Sequence, residues 1–302
     1  MRVLGLHDPG YPPLLALLSD APAELWFRGD PALLSRVAVA IVGSRAATRL
    51  GLEMAEKLAA GLAREGVVVV SGCARGIDAA AHRAALDVGG TTIGVLAGGL
   101  DVAAPPLNRP LAERIARRGL LVSEHRAGVT PRPYLFPLRN RIIAGLTRVV
   151  VVVEAAARSG ALTTARHALD AGREVMVVPT HPLLPNAAGI GMLLRDGAGA
   201  AFGVEDVLVE LAGLPPVEGL APWTPGARAR SARARALPPS APLNDRIAAA
   251  LEGPPARPEE VAAFLGEGLP AILAGLTELE LIGVVRMVPG PRFGIVPRRT
   301  KE

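Results

Sequence analysis

From Val37 onward the chain alternates short, continuous apolar runs with longer segments of helical period. VAVAIV (37–42), VVVV (67–70), TTIGVLA (91–97), GLLVS (119–123), RVVVVV (148–153) and EVMVV (174–178) lack the in-and-out alternation of a strand with one wet face. Such runs suit strands covered on both faces by helices. Between them, residues 50–64, 77–88, 110–118, 139–146 and 163–171 place apolar side chains at helical spacing. The series predicts repeated βαβ units and an α/β fold, a Rossmann-like, doubly wound, mostly parallel sheet over residues 37–214.

The flanks read differently. Residues 1–36 set Pro9, Pro12, Pro13, Pro22 and Pro31 among short apolar runs, and predict an irregular lead-in packed on the main domain. Residues 215–242 are rich in Pro, Ala and Arg, show no periodicity and carry no acid after Glu218, as a tether does. Residues 243–302 predict helices at 243–251, 258–265 and 269–281, then strands at 284–288 and 292–296 about a PGP turn. Pro258 opens the second helix, with Glu259 and Glu260 in its first turn. Three helices and a hairpin form the pattern of a small C-terminal winged-helix domain.

The chemistry lies in the turns that leave the strands. GSR (Gly43, Ser44, Arg45), SGCARGID (from Ser71 and Gly72 to Gly76 and Asp78), GGLD (98–101), Glu124 and EAAARSGALTTA (154–165) each come directly after an apolar run. In a parallel sheet these turns share the carboxyl edge, where ligands bind. Glycines let backbone approach a ligand, and helix starts offer free N–H groups to anions. Ser44, Ser71, Ser159, Thr163 and Thr164 add hydroxyls beside Gly160, and Arg45 adds a charged fork suited to phosphate. Any one such glycine or serine is ordinarily only a tight turn; five turns on one edge favour a site. A second element, FPLRNRIIAGL (136–146), sets Arg139, Asn140 and Arg141 just before an apolar helix, behind Phe136. It offers phosphate and amide contacts with an aromatic that can stack a base; the plainer alternative is a helix start with solvated arginines and a core Phe.

Charge sharpens this picture. The net +5 is concentrated in residues 37–202, with 19 Lys/Arg against 12 Asp/Glu, and in residues 219–242, with four Arg and no acid. A basic domain of this kind suits a polyanion. The single cysteine, Cys73, excludes internal disulfides and Cys-rich metal sites, and no metal signature or cofactor motif is present. No run of 18 apolar residues and no signal-peptide pattern occurs, so no membrane association and a cytoplasmic location are expected.

GSR, SGCARGIDAAAH, GGLD, SEH, FPLRNRIIAGL, VVVEAAARSGALTTARHAL, AGREVMVVP and GIGMLLRDGA succeed one another in an order that resembles the DprA (Smf) DNA-processing family, from about Tyr11 to Phe202. The trailing domain is similar to that family's winged helix. The resemblance implies a non-enzymatic protein that binds and protects incoming single-stranded DNA. It also implies a homodimer that delivers the strand to a RecA-type recombinase in natural transformation. Carried over motif by motif, it places Arg45, Phe136, Arg139, Asn140, Arg141, Ser159, Gly160 and Arg173 in the DNA-binding pocket. The sequence departs from the family pattern in three ways. The helical N-terminal domain of many members is not found, Pro179-Thr180-His181 stands where Pro-Gly is usual, and Ala104-Pro105 replaces an aromatic-Pro.

Enzymatic readings are weaker. There is no GxxxxGK[ST], and Lys57 falls inside a helix, which argues against a Walker-type ATPase. GSRAAT is not GxGxxG and no acid near position 70 could hold a ribose, which argues against a dinucleotide dehydrogenase. The nearest rival is a nucleotide-hydrolysing Rossmann enzyme of the lysine-decarboxylase-like type, which needs a carboxylate early in the helix after the fifth Gly-rich turn. That helix begins SGALTTARHALD, and its first acid is Asp170. Glu124 and Glu154 are expected to orient Arg139 or Arg141. Cys73 and His82, nine residues apart, read as a small core residue and a partly buried helix residue. In the trailing domain the helix LPAILAGLTELELIG carries Glu278 and Glu280 and no basic residue, so it favours a protein contact over a phosphate backbone. Arg228, Arg230, Arg233 and Arg235 read as weak nonspecific attraction for DNA or as a solvated tether.

Overall fold

The computed structural model describes residues 1–102, 109–221, 223–224, 237–238, 240–251, 256–288 and 292–296. The chain divides into two compact units, Met1–Pro222 and Trp223–Glu302.

The first unit is built on a nine-stranded sheet in the order β1-β2-β6-β5-β4-β3-β7-β8-β9. Strands β3 (Ala38–Val42), β4 (Val68–Ser71), β5 (Thr92–Val95), β6 (Leu120–Ser123), β7 (Val149–Val152), β8 (Glu174–Val177) and β9 (Gly199–Ala200) run parallel. Every residue of β3, β4 and β7 is buried, as their unbroken apolar runs require. Alternation then assigns the faces. Ala38, Ala40 and Val42 join a core with Ile142, Ile143, Ala161 and Ala165 of α5 (Leu135–Gly145) and α6 (Gly160–Asp170). Val39 and Ile41 therefore point to the opposite face. There α2 (Arg49–Arg64) and α3 (Ile77–Asp87) pack on each other. After β6 the chain crosses back and adds β7 on the free side of β3, so the direction of winding reverses between β3 and β7.

Residues 1–36 are not an irregular lead-in. They supply β1 (Arg2–Gly5) and β2 (Glu24–Gly29), and β2 pairs antiparallel with β6, which makes the sheet mostly rather than wholly parallel. The prolines hide these strands because they fall in the connection, with Pro13 opening the one-turn helix α1 (Pro13–Ala16) and Pro31 a 3-10 turn. A bidentate Arg28–Glu113 pair, at 2.9 and 2.7 Å, fixes β2 to α4 (Arg109–Arg118). The start of the expected tether also belongs to this unit. Arg148 donates to the Pro215 carbonyl at 2.6 Å and the Ala221 N–H to the Ser35 carbonyl at 2.7 Å. The arginines Arg228, Arg230, Arg233 and Arg235, like Ala104-Pro105, lie outside the described residues. Helices α7 (Ala188–Arg195) and α8 (Val204–Gly213) complete the unit.

In the second unit α9 (Leu243–Ala250), α10 (Pro258–Leu265) and α11 (Leu269–Leu281) pack around Ile247, Val261, Ile272 and Leu276. A hairpin of β10 (Val285–Val288) and β11 (Arg292–Ile295) closes the winged helix, with Phe293 buried against the helices. Glu278 accepts from Asn244 Nδ2 at 2.6 Å and Glu280 from the Met287 N–H at 3.1 Å, so both acids of α11 serve the domain's own packing. Among the described residues no single helix is long and apolar enough to cross a membrane.

Candidate functional site

A reversal of winding splays the loops that leave the two central strands and opens a crevice at their carboxyl ends. A cavity of about 520 Å³ occupies that place. Gly43, Ser44 and Arg45 enter it from β3, Asp78 from the start of α3, and Ser159, Gly160, Thr163 and Thr164 from the amino end of α6. Phe136, Arg139 and Asn140 of α5 form the remaining wall. Ten of the fifteen residues singled out in the sequence thus line one pocket.

Glycines set its floor. A Cβ on Gly43 would lie 2.7 Å from Ile77 Cγ1, and one on Gly76, at φ +77°, would lie 2.2 Å from the Ser44 carbonyl oxygen. These contacts lock the β3 and β4 turns together, helped by the Ile77 N–H donating to the Ser44 carbonyl at 3.3 Å. Gly72 is dictated by Arg139, because its Cβ would sit 2.6 Å from the guanidinium carbon. Gly160 is different: a Cβ there would meet nothing within 4 Å, so the site is open space in front of α6. Ser159 caps that helix, its Oγ accepting from the Ala161 N–H at 3.2 Å.

Arg139 is the centre of the arrangement. Only 6% exposed, it donates through Nη1 to the carbonyls of Gly72 (2.5 Å) and Val95 (2.6 Å) and through Nε to Asn140 Oδ1 (3.1 Å). Asn140 Nδ2 in turn donates to the Gly160 carbonyl at 3.1 Å. One chain of hydrogen bonds therefore ties the ends of β4 and β5 to α5 and α6. Among the described residues no acceptor bonds to Nη2 of Arg139, which leaves a fixed donor for a bound anion. Burial works against the charge on Arg139, and the nearby Asp78 carboxylate supports it. Arg45 is exposed and lays its guanidinium over the Phe136 ring at 5.0 Å from the centroid, with the Arg139 guanidinium at 5.9 Å. Phe136 thus steadies two cations at the pocket mouth.

Asp78 is a pocket-lining residue that the sequence did not single out as part of the site. Burial pushes its carboxyl pKa up, while Arg139 and the N–H groups of Ala74 and Gly72 pull it down; its Oδ2 accepts from Gly72 at 3.2 Å and Ala74 at 3.3 Å. A signal was present, since an acid in the first turn after a Gly-rich loop commonly collects that loop's amides.

Five expected residues stand elsewhere. Gly72, whose carbonyl holds the Arg139 guanidinium, and Gly76, packed on the Ser44 carbonyl, stand behind the wall, and Ser71 is fully buried, donating to the Ile41 carbonyl at 2.6 Å. Arg141 is buried on another side of α5 and pairs with Glu124 (2.5 Å) and Asp20 (3.3 Å), its Nη1 left without a partner. Residues two apart on a helix point about 200° apart, so Arg139 and Arg141 cannot share a pocket. Arg173 precedes β8 and so sits at the amino edge of the sheet, away from the pocket. It donates to the Leu14 carbonyl at 2.8 Å, and its Nε is buried without a partner. The RNR trio also lies inside α5 rather than ahead of it. The helix starts at Leu135 because Pro137 is tolerated in a first turn.

Glu124 does orient Arg141, but Glu154 orients neither arginine. It accepts from the Thr48 N–H (3.0 Å), the Thr48 hydroxyl and Asn186 Nδ2 (3.1 Å), and so holds the start of α2. Cys73 and His82 are in contact despite their spacing, with Sγ 3.6 Å from Nε2. Thr92 Oγ1 donates to the Val69 carbonyl at 2.6 Å and lies 2.7 Å from His82 Nδ1. Burial and the Arg139 charge hold the His82 pKa down at about 3, and burial pushes the Cys73 thiol up to about 12. Both groups are neutral and sealed, the opposite of a nucleophile and its base.

Comparison with known proteins bears on this geometry. A profile described as DNA recombination-mediator protein A matches residues 2–212, and one described as the DprA winged helix domain matches residues 231–291. The chain belongs to the DprA/Smf family. It is 44% identical over 203 residues to the DNA processing protein DprA of Streptococcus pneumoniae, covering 67% of this chain and 72% of that one. It is 35% identical over 312 residues to Protein Smf of Synechocystis, covering 95% and 78%. The X-ray structure of the Streptococcus pneumoniae family member matches with a TM-score of 0.67 at 42% identity, over 69% of this chain and 74% of that one. The Helicobacter pylori member, whose single-stranded DNA binding mode has been described structurally, matches with a TM-score of 0.63 at 31% identity, over 70% and 96%.

Proposed function

We propose that the chain binds single-stranded DNA by its backbone in the carboxyl-edge pocket, and does no chemistry on it. The observation that carries this reading is Arg139, a buried guanidinium held by two carbonyls with a donor left over, beside Arg45 and the open amino end of α6. Neutral hydroxyls and a helix start complete a phosphate receptor without base-edge selectivity. The family likeness supports the same reading, through a relative described as binding single-stranded DNA. The hydrolase alternative needs an acid early in α6, whereas Asp170 is that helix's last residue, about 15 Å along the axis from Gly160. Protection of the strand, a homodimer and delivery to a RecA-type recombinase in natural transformation complete the proposal on the family resemblance alone.

The test is a salt titration of oligonucleotide anisotropy with wild type, Arg45→Ala and Arg139→Ala. Arg45 is exposed, so its replacement leaves packing intact. Affinity is expected to fall for every sequence, and the slope of log K against log salt to flatten by about 0.7 for each phosphate no longer neutralised. Unchanged affinity in both variants overturns the site.

A further inference from the structure

A second cavity, of about 370 Å³, opens beyond the ends of β7 and β8 and against the first half of α2. The first pocket does not use it. Its apolar lining includes Met54, Val178, Pro179 and Leu184. Its two acids are already engaged: Glu154 by Thr48 and Asn186, and Glu53 by Arg49 at 2.6 Å. Lys57 lines it as well, and among the described residues no carboxylate pairs with that ammonium. The cavity therefore offers an apolar wall and one cation that makes no direct ion pair, with the Glu154 carboxylate turned to the neutral donors of Thr48 and Asn186.

Its position matters as much as its lining. Ala46 lines the first cavity, while Thr48 and Glu154 line the second. Between them Asn186 Nδ2 donates both to the Ala46 carbonyl (3.0 Å) and to the Glu154 carboxylate (3.1 Å). The two cavities are thus separated by the 46–48 turn and one side chain. A chain molecule held in the first has only that ridge to cross before reaching the second.

We propose that this second cavity receives a neighbouring nucleotide of the same single strand, with its base against Met54, Pro179 and Leu184 and its phosphate on Lys57. A nucleotide is a flat apolar body carrying one anionic group, which suits the apolar wall and the unpaired Lys57 ammonium of this lining. His181, at the same cavity, supplies a ring nitrogen for the base edge. The inference rests on the proposed single-strand binding and extends it by one subsite.

The experiment uses the full chain with an oligo-dT carrying 5-iodouracil, irradiated and mapped by mass spectrometry, alongside Lys57→Ala and Arg45→Ala. Lys57 is exposed, so its replacement leaves the fold intact. The expected result is cross-linking to residues 50–57 and 178–184 in addition to residues 134–140. In Lys57→Ala the first two should disappear and the third remain, with affinity down at least threefold and the salt slope flatter by about 0.7. Cross-links confined to residues 134–140, with Lys57→Ala binding as wild type, overturn the second subsite and leave the first reading standing. Absence of oligonucleotide binding, or Arg45→Ala binding as wild type at every salt concentration, overturns the first reading and the second subsite with it.

Discussion

The neutral imidazole under the pocket has a measurable thermodynamic signature. His82 is fully buried, its pKa held at about 3 against 6.5 for the free side chain. A depressed folded pKa means that the unfolded chain takes up a proton that the folded chain refuses. The associated stability is therefore complete above pH 6.5 and is lost as pH falls from 6.5 towards 3. Between pH 7.5 and 5.0 the unfolded imidazole gains about 0.9 proton and the folded one essentially none, and the loss integrates to about 2 kcal/mol. Asp78, whose pKa is raised, titrates in the opposite sense, so the wild-type curve mixes the two. His82→Asn removes the imidazole, keeps a polar side chain beside Thr92 and leaves Asp78 in place. The assay is urea denaturation at both pH values in a Trp223→Phe background, where Trp26 of β2 is the sole tryptophan reporter. Wild type should lose about 2 kcal/mol more than His82→Asn on acidification. Equal losses would show that His82 is charged or solvated in the folded protein, and the neutral Cys73–His82 pair would have to be abandoned.

Other expectations rest on the same geometry. Gly72→Ala drives a Cβ into the Arg139 guanidinium and should cost about 1–3 kcal/mol in urea denaturation while weakening oligonucleotide binding; wild-type behaviour would mean the guanidinium is not seated there. Thr48→Ala removes the side chain that accepts from the Gly51 N–H at the start of α2, and should cost about 0.5–2 kcal/mol by the same assay. Cys73 should resist iodoacetamide at pH 8 in the native protein and react once unfolded, because its thiol is buried with a pKa pushed up to about 12; rapid native labelling would contradict that burial.

How much of the fold is legible in the sequence depends on the range of the interactions. Strands β3 to β8 are readable because nearly all of their residues are buried and each falls in a mainly apolar run. The turns after them are readable as one edge because parallel topology gathers strand ends. Strands β1 and β2 are not, since this antiparallel pair at one end of the sheet is set among prolines and carries no such run. Pro137 suggests a later start for α5 than the structure shows, and that shift hides the fact that Arg139 and Arg141 must face apart. Motif likeness puts Arg173 in the pocket, although its position before β8 already sets it at the other edge. The contact of Cys73 with His82 rests on one loop residue at φ 56°, a conformation that no spacing rule foretells.

The reversal of winding between β3 and β7 also governs when the pocket comes into being. Its walls are contributed by residues 42–46, 74–78, 136–143 and 156–164, and the last group is brought in only when β7 docks beside β3. A chain lacking residues 156–164 has Arg45 and Arg139 but not the α6 wall of the cavity. On the proposed function, binding competence therefore waits for the last of these wall segments to dock. An oligonucleotide that recognises only the finished sheet would act as a ligand of the native state alone, raising the unfolding midpoint in proportion to the logarithm of its concentration.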